Sequence, residues 1–282
     1  MSSSERLAEQ LLAWFVPAES YVVALSGGVD SAVVAAACKL SGVDGLAVTA
    51  RSASVAGIEL RDAQRLAQTL ELEHHWIDPG ETNEPAYQAN DLRRCYYCKS
   101  QLYSTIAAQF PGRTILSGTN HDDLGDYRPG LEAAAKAHVQ SPLACLQLTK
   151  ADVRSLAKLW QLDIADKPAS PCLASRIAYG VSVTPERLSR VERAEQYLRE
   201  LGLVEFRVRL HADEVARIEV APEHIAQLAA ESTRSALVAT FEQLGFRYVT
   251  LDLVGFRSGS LNPVFQIAAT PHSPHKFLGI TM

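Results

Sequence analysis

The chain has 282 residues, 47% of them hydrophobic and 21% charged, with a net charge of −5. That length holds one large α/β domain and a smaller companion, with apolar content enough for a sizeable core. No uncharged apolar run approaches the ~20 residues of a membrane span, no Lys/Arg cluster makes a phosphate-tracking stripe, and Met1-Ser-Ser-Ser-Glu-Arg6 has no secretory pattern, so a cytoplasmic protein without membrane or nucleic-acid partners is expected.

The first expected strand is Val22–Leu25, a short apolar run that breaks at Gly27-Gly28 and leads into an Ala/Val-rich helical pattern over Ala32–Leu40. Two glycines let backbone approach a ligand closely, and the amides that open the helix point outward, which suits a phosphate. No Lys follows Gly28, so this is not a Walker loop, and Asp30 has no place in one. Further strands are expected over Gly45–Thr49, His74–Ile77 and Thr114–Ser117. Helices are expected over Gly57–Leu70, Cys98–Phe110 and Thr149–Leu159, the last with Thr149 and Asp152 at capping-box spacing. This alternation implies an α/β fold with a mostly parallel, doubly wound sheet. Ligands bind such sheets at the carboxyl ends of the strands, where Ser26 and Ser117 fall.

Asp166–Gly180, with Pro168 and Pro171, reads as a loop. Beyond it come a charged helix over Thr184–Leu201 and strands over Val204–Leu210 and Val215–Val220. A helix over Glu223–Leu244 and a strand over Tyr248–Val254 complete the run. This α-β-β-α-β tail is expected to form a small α+β domain, residues 181–282, beside a larger one of residues 1–180.

Chemistry concentrates at five places. The first is Ser26-Gly-Gly-Val-Asp-Ser31. The second, Ser117-Gly-Thr-Asn-His-Asp-Asp-Leu-Gly-Asp126, is an acidic, glycine-bearing loop after a strand. It suits Mg²⁺ and a nucleotide, though Asn and Asp also form turns. The third is Arg94-Cys95-Tyr-Tyr-Cys98-Lys99, read as a C-x-x-C turn whose thiols are close enough to share a metal and whose basic neighbours lower their pKa. Five cysteines in a cytoplasmic chain read as metal-binding or catalytic rather than disulfide-forming. Cys38 and Cys145, among apolar neighbours, read as buried hydrophobes. The fourth is Lys167-Pro-Ala-Ser-Pro-Cys172-Leu-Ala-Ser175-Arg176, where a cysteine in a proline-stiffened loop fits a poised nucleophile. The fifth is Arg207 and Arg209 on one strand face, with Arg257 beyond; they suit a phosphate, or equally a solvated face of surface ion pairs.

Together, Ser26–Ser31, Gly118-Thr119-Asn120, Asp126-Tyr-Arg-Pro-Gly130, the Cys95/Cys98 pair and Pro171-Cys172-Leu-Ala-Ser175-Arg176 resemble the LarE family. LarE proteins are sulfur transferases with the pyrophosphate loop (PP-loop) of ATP pyrophosphatases. The resemblance covers essentially the whole chain and implies a PP-loop, adenine nucleotide α-hydrolase-like fold. It implies that ATP, with Mg²⁺, adenylylates the carboxylates of pyridinium-3,5-biscarboxylic acid mononucleotide, and that sulfur then displaces AMP on the way to a nickel-pincer nucleotide cofactor. ATP binding would fall to Ser26, Gly27, Gly28, Asp30, Ser31, Gly118, Thr119 and Asn120, and Mg²⁺ to Asp30, Asp122 and Asp126. Catalysis would fall to Cys172, Asp30, Ser175 and Arg176, and the substrate phosphate to Arg207, Arg209, Arg257, Lys99 and Asp213.

Family members take their sulfur in two ways. Either the cysteine matching Cys172 is consumed, or cysteines matching Cys95, Cys98 and Cys172 hold a [4Fe-4S] cluster whose open iron carries sulfide. All three are present here, which favours the cluster. A homo-oligomer and a sulfide-donating partner protein belong to the same expectation. The rivals are a PP-loop tRNA thiolase, which the acidic balance opposes; an amide ligase of the NAD or GMP synthetase kind, which needs none of the three cysteines; and a nucleotide or iron–sulfur sensor without turnover.

Overall fold

Both faces of the first strand are apolar, which sets the layering of the whole molecule. In the structure, a computed structural model that describes residues 2–125, 129–257 and 261, β1 (Ser20–Ala24) sends Tyr21 and Val23 into one core and Val22 into another. Ahead of it lies α1 (Ser3–Ala13), started by a Ser2/Glu5 capping box. After it come α2 (Val29–Leu40), β2 (Asp44–Ala50), α3 (Gly57–Thr69), β3 (Glu73–Ile77) and the single turn α4 (Pro85–Gln88). Then follow α5 (Arg94–Gln109), β4 (Thr114–Leu116), α6 (Pro129–Lys136), the turn α7 (Pro142–Cys145) and α8 (Lys150–Leu159). The strands lie in the order β3-β2-β1-β4, every pair parallel. Leu11, Val33, Leu66 and Leu156 of α1, α2, α3 and α8 cover one face; Leu102, Ile106 and Ala134 of α5 and α6 cover the other. This is the doubly wound sheet that the alternating pattern implied.

A smaller α+β body follows: α9 (Pro185–Glu200), β5 (Phe206–His211), β6 (Val215–Val220), α10 (Ile225–Ala229), α11 (Glu231–Gln243) and β7 (Tyr248–Leu251). β6 is the central strand, antiparallel to β5 and parallel to β7. Its core, built on Leu188, Val191, Val208, Ile218 and Phe241, also takes in Tyr87 of α4 and Leu173, Ala174 and Ile177 of the preceding loop. Ile177 bridges to Leu210 of β5. The flank of Cys172 is therefore anchored in this second core.

Three expectations are corrected. α5 starts at Arg94, one turn early, so Cys95 and Cys98 lie in the first two turns of a helix and not in a separate C-x-x-C turn. The helix expected over Glu223–Leu244 is two, broken at Ala230, whose backbone is extended at ψ 141°; no Gly or Pro marks the break. Cys145 is exposed, because α7 turns Pro142 and Leu143 inward and leaves residue 145 on the far side. No helix among the described residues is long and apolar enough to cross a membrane.

Candidate active site

The phosphate loop is shaped by backbone contacts that exclude side chains. Gly27 has φ +78°, and a Cβ there would stand 2.5 Å from the Glu59 carbonyl oxygen of α3. Gly118, just after β4, lies so close to α2 that its Cβ would be 2.6 Å from the Ser31 nitrogen. The Ser26 and Ser31 hydroxyls are 3.0 Å apart, and Ser31 donates to the Gly28 carbonyl at 3.0 Å. α2 opens at Val29 with no side-chain cap, which leaves its first amides and the positive end of its dipole for an anion. Asn120 is fully buried, and its Nδ2 donates to Asp30 Oδ1 at 2.9 Å. Burial raises the Asp30 pKa, against the lowering effect of that bond. The Thr119 hydroxyl meets that of Ser117 at 3.1 Å. Of the acidic loop, Asp123 lines the cleft described below, whereas Asp122 accepts the Lys150 amide at 2.9 Å and holds the start of α8. Asp126 lies outside the described residues.

A cleft of about 610 Å³ runs from this loop to Cys95, Cys98 and Cys172. Cys95 and Cys98 stand one turn apart on α5, and Cys172 comes from the facing loop. Arg94, only 5% exposed, joins the two elements: its Nη1 donates to Asn90 Oδ1 and, at 2.9 Å, to the Ala174 carbonyl. Arg176 and Ser175 do not line the cleft. Arg176 is ion-paired to Glu195 at 3.0 Å and donates to the Cys172 carbonyl at 3.0 Å, to which Ser175 Oγ also donates at 2.7 Å. Both fasten the backbone of Cys172 from behind.

Burial pushes the Cys98 thiol up to about 12 and raises Cys95 as well. Desolvation outweighs the lowering by Arg94 and Lys99 that the motif alone suggested. Among the described residues no three His, Cys, Asp or Glu side chains converge to hold a metal ion. The three thiols do share one cleft, the donor set that an iron–sulfur cluster with an open iron takes.

Lys99 lines the cleft beside the thiols, whereas Arg207, Arg209, Arg257 and Asp213 do not. Arg209, 6% exposed, is committed to Glu219 at 3.0 Å and donates to the Ser175 carbonyl at 3.2 Å. Arg207 lies over the Phe256 ring, 5.1 Å from its centroid. Arg257 reaches only to 3.7 Å from Asp252, and Asp213 stands exposed at the β5–β6 turn with φ 57°. Three further cations also line the cleft: Lys150 and Arg154, which no motif marks, and Lys167, which opens the fourth motif but is assigned no role in it. They arrive there only through the docking of α8 and the loop after it.

A family model described as NAD synthase matches residues 10–94, a segment that contains the phosphate loop. An uncharacterized protein of Synechocystis is 45% identical over 264 residues, 92% of this chain and 98% of its own. Pyridinium-3,5-bisthiocarboxylic acid mononucleotide synthase of Lactiplantibacillus plantarum is 38% identical over 245 residues, 85% of this chain and 88% of its own. The chain belongs to the LarE family. Among solved structures, that of NMN synthetase from Francisella tularensis aligns with a TM-score of 0.49 at 24% identity, over 60% of this chain and 76% of its own. The resemblance drawn from the motifs is thus borne out at the level of the family. In this LarE chain the residues of those motifs divide between the cleft wall, which takes Ser26, Asp30 and the three cysteines, and its backing, which takes Ser175 and Arg176.

Proposed function

We propose that this LarE chain is an ATP-dependent sulfurtransferase that adenylylates the carboxylates of pyridinium-3,5-biscarboxylic acid mononucleotide and replaces AMP with sulfur. The observation that carries the proposal is the single cleft joining the Ser26–Ser31 loop to Cys95, Cys98 and Cys172. A carboxylate is a poor acyl donor because it has no good leaving group, and the mixed anhydride with AMP supplies one. Attack by sulfur then forms the C–S bond as the C–O bond to AMP breaks. The amides opening α2 receive the departing pyrophosphate, and Arg154 adds positive charge around it, beside Lys150 and Lys167, which are paired to carboxylates.

Mg²⁺, taken by Asp30 and Asp123, would offset the phosphate charge. A [4Fe-4S] cluster on Cys95, Cys98 and Cys172 would supply sulfide from its open iron. The exposed position of Cys172 on the cleft favours a second route, in which that residue surrenders its own sulfur. Ser175 and Arg176 are positioning residues in either case. The 5′-phosphate is assigned to Arg207 and Arg257, whose face adjoins the Cys172 loop through the Arg209 bond to Ser175. The division into domains at residue 180, a homo-oligomer and a sulfide-donating partner complete the proposal.

The test is intact-protein mass after anaerobic turnover with ATP, Mg²⁺ and the biscarboxylic mononucleotide, with product quantified alongside. Thiolated product with Cys172 stripped of sulfur establishes the sacrificial route. Product with unchanged polypeptide mass and bound iron establishes the cluster. Absence of product from both the iron-loaded and the iron-free protein overturns the assignment.

A further inference from the structure

The thiol end of the cleft contains a carboxylate with half of its hydrogen bonding unmet. Glu81, in the turn after β3, is 1% exposed and lines the cleft. Its Oε1 accepts from the hydroxyls of Ser52 and Ser54, the latter at 2.8 Å. Its Oε2 is buried and has no hydrogen-bond partner. Burial is the main cause that raises the pKa of Tyr87 and Cys98, and the nearby Glu81 adds to it, so Glu81 sits among the groups that surround the thiols.

Two hydroxyls converge on one oxygen of the carboxylate and nothing answers the other. Burying a carboxylate's charge with that oxygen unanswered is costly unless something positive arrives. Lys99 lines the same end of the cleft, and no ion pair joins it to Glu81 among the described residues. A cation and an anion held apart in one cleft match a ligand that bears both signs. A ring with a fixed positive charge and carboxylate substituents is such a ligand, whereas the ribose and phosphates of ATP offer no positive charge.

We propose that Glu81 is the counter-charge for a cationic heteroaromatic ring, the pyridinium of the mononucleotide, with Lys99 facing the ring's carboxylates. The proposal rests on the substrate reading above and adds how the ring is recognised. Glu81 selects for ring charge, which the phosphate-binding arginines cannot sense.

The experiment is calorimetric titration of the full chain with pyridinium-3-carboxylate mononucleotide and with its reduced dihydropyridine form. The reduced form keeps the ribose, phosphate and carboxylate and loses the ring charge. The wild-type chain is expected to prefer the cationic form by ~10-fold or more, as a desolvated charge pair allows. Glu81→Gln is expected to abolish the preference with ATP affinity unchanged, which also reports an intact fold, and Glu81→Asp to retain it. A preference that survives in Glu81→Gln, or equal wild-type affinity for the two forms, overturns the role of Glu81 while leaving the substrate reading standing. Wild-type protein that binds neither form overturns the substrate reading itself, and this inference with it.

Discussion

The ammonium of Lys167 lies 2.9 Å from the carbonyl oxygen of Gly27. One residue thereby touches the phosphate loop while standing five positions ahead of Cys172, with Pro168 and Pro171 stiffening the chain between. The same ammonium is held by Glu59 at 2.7 Å and Asp62 at 2.6 Å, and the side chain is only 16% exposed. Lys167→Ala leaves the largely buried Glu59 without its cation and Asp62 with Arg65, which is expected to cost on the order of 3 kcal/mol of stability. Urea denaturation measures the loss. ATP-dependent AMP release should fall even where the variant remains folded, because the loop carrying the thiol is no longer tied to the nucleotide.

Asp30 gives a prediction with a definite pH sign. Burial raises its folded pKa above the ordinary 3.8, so the folded chain holds this proton more firmly than the unfolded one. The stabilisation is full below the unfolded value and is lost as pH rises through the folded value; above that, ionised Asp30 costs stability. Asp30→Asn, which can still accept from Asn120, is expected to raise the melting temperature at pH 8 and to change it little at pH 4. AMP formation should drop by ~100-fold if the carboxylate serves the reacting phosphates. Calorimetry at the two pH values and an AMP assay check both halves, and a lower melting temperature at pH 8 would refute the first.

Gly118→Ala tests the contact between β4 and α2. The added methyl would meet the Ser31 nitrogen at 2.6 Å, and backbone on both sides leaves no flexible end to move. The expected cost is ~1–3 kcal/mol of stability together with weaker ATP binding. An unchanged dissociation constant for ATP would show that the loop tolerates the shift.

The two arginines of β5 should separate. Arg209 holds Glu219 and the Ser175 carbonyl, so Arg209→Ala is expected to destabilise the chain by ~3 kcal/mol by taking from the buried Glu219 one of its cations. Arg207→Ala, together with Arg257→Ala, should leave stability within ~0.5 kcal/mol and raise the KM for the mononucleotide without altering that for ATP. Equal stability losses in the two cases would undo the distinction.

What was legible in the sequence is what short-range geometry enforces. Gly27 announces a close backbone approach because only glycine permits it, and the strand–helix alternation announces the sheet. The roles of Arg176 and Lys167 were not legible. Beside Cys172 in sequence, Arg176 reads as a catalytic partner, yet Glu195 on α9 draws its guanidinium to the far side. Lys167 meets Glu59 and Asp62 across more than a hundred residues, a relation no local pattern encodes. The C-x-x-C spacing fits a turn and a helix equally; Arg94, bonded to Asn90 and Ala174, accompanies the helical outcome. Helix α1 was readable from its Ser2/Glu5 box and has no counterpart among the elements expected from the sequence.

The sulfur and the phosphate loop ride on different cores. Leu173, Ala174 and Ile177 carry Cys172 with the second core, whereas Val29, Ala32 and Val33 carry the loop with the first. On the proposed function, activation and sulfur delivery are in this sense separable cassettes. A fold arranged so can keep its phosphate-loop half and acquire a different reactive side chain by exchanging the half that bears Cys172.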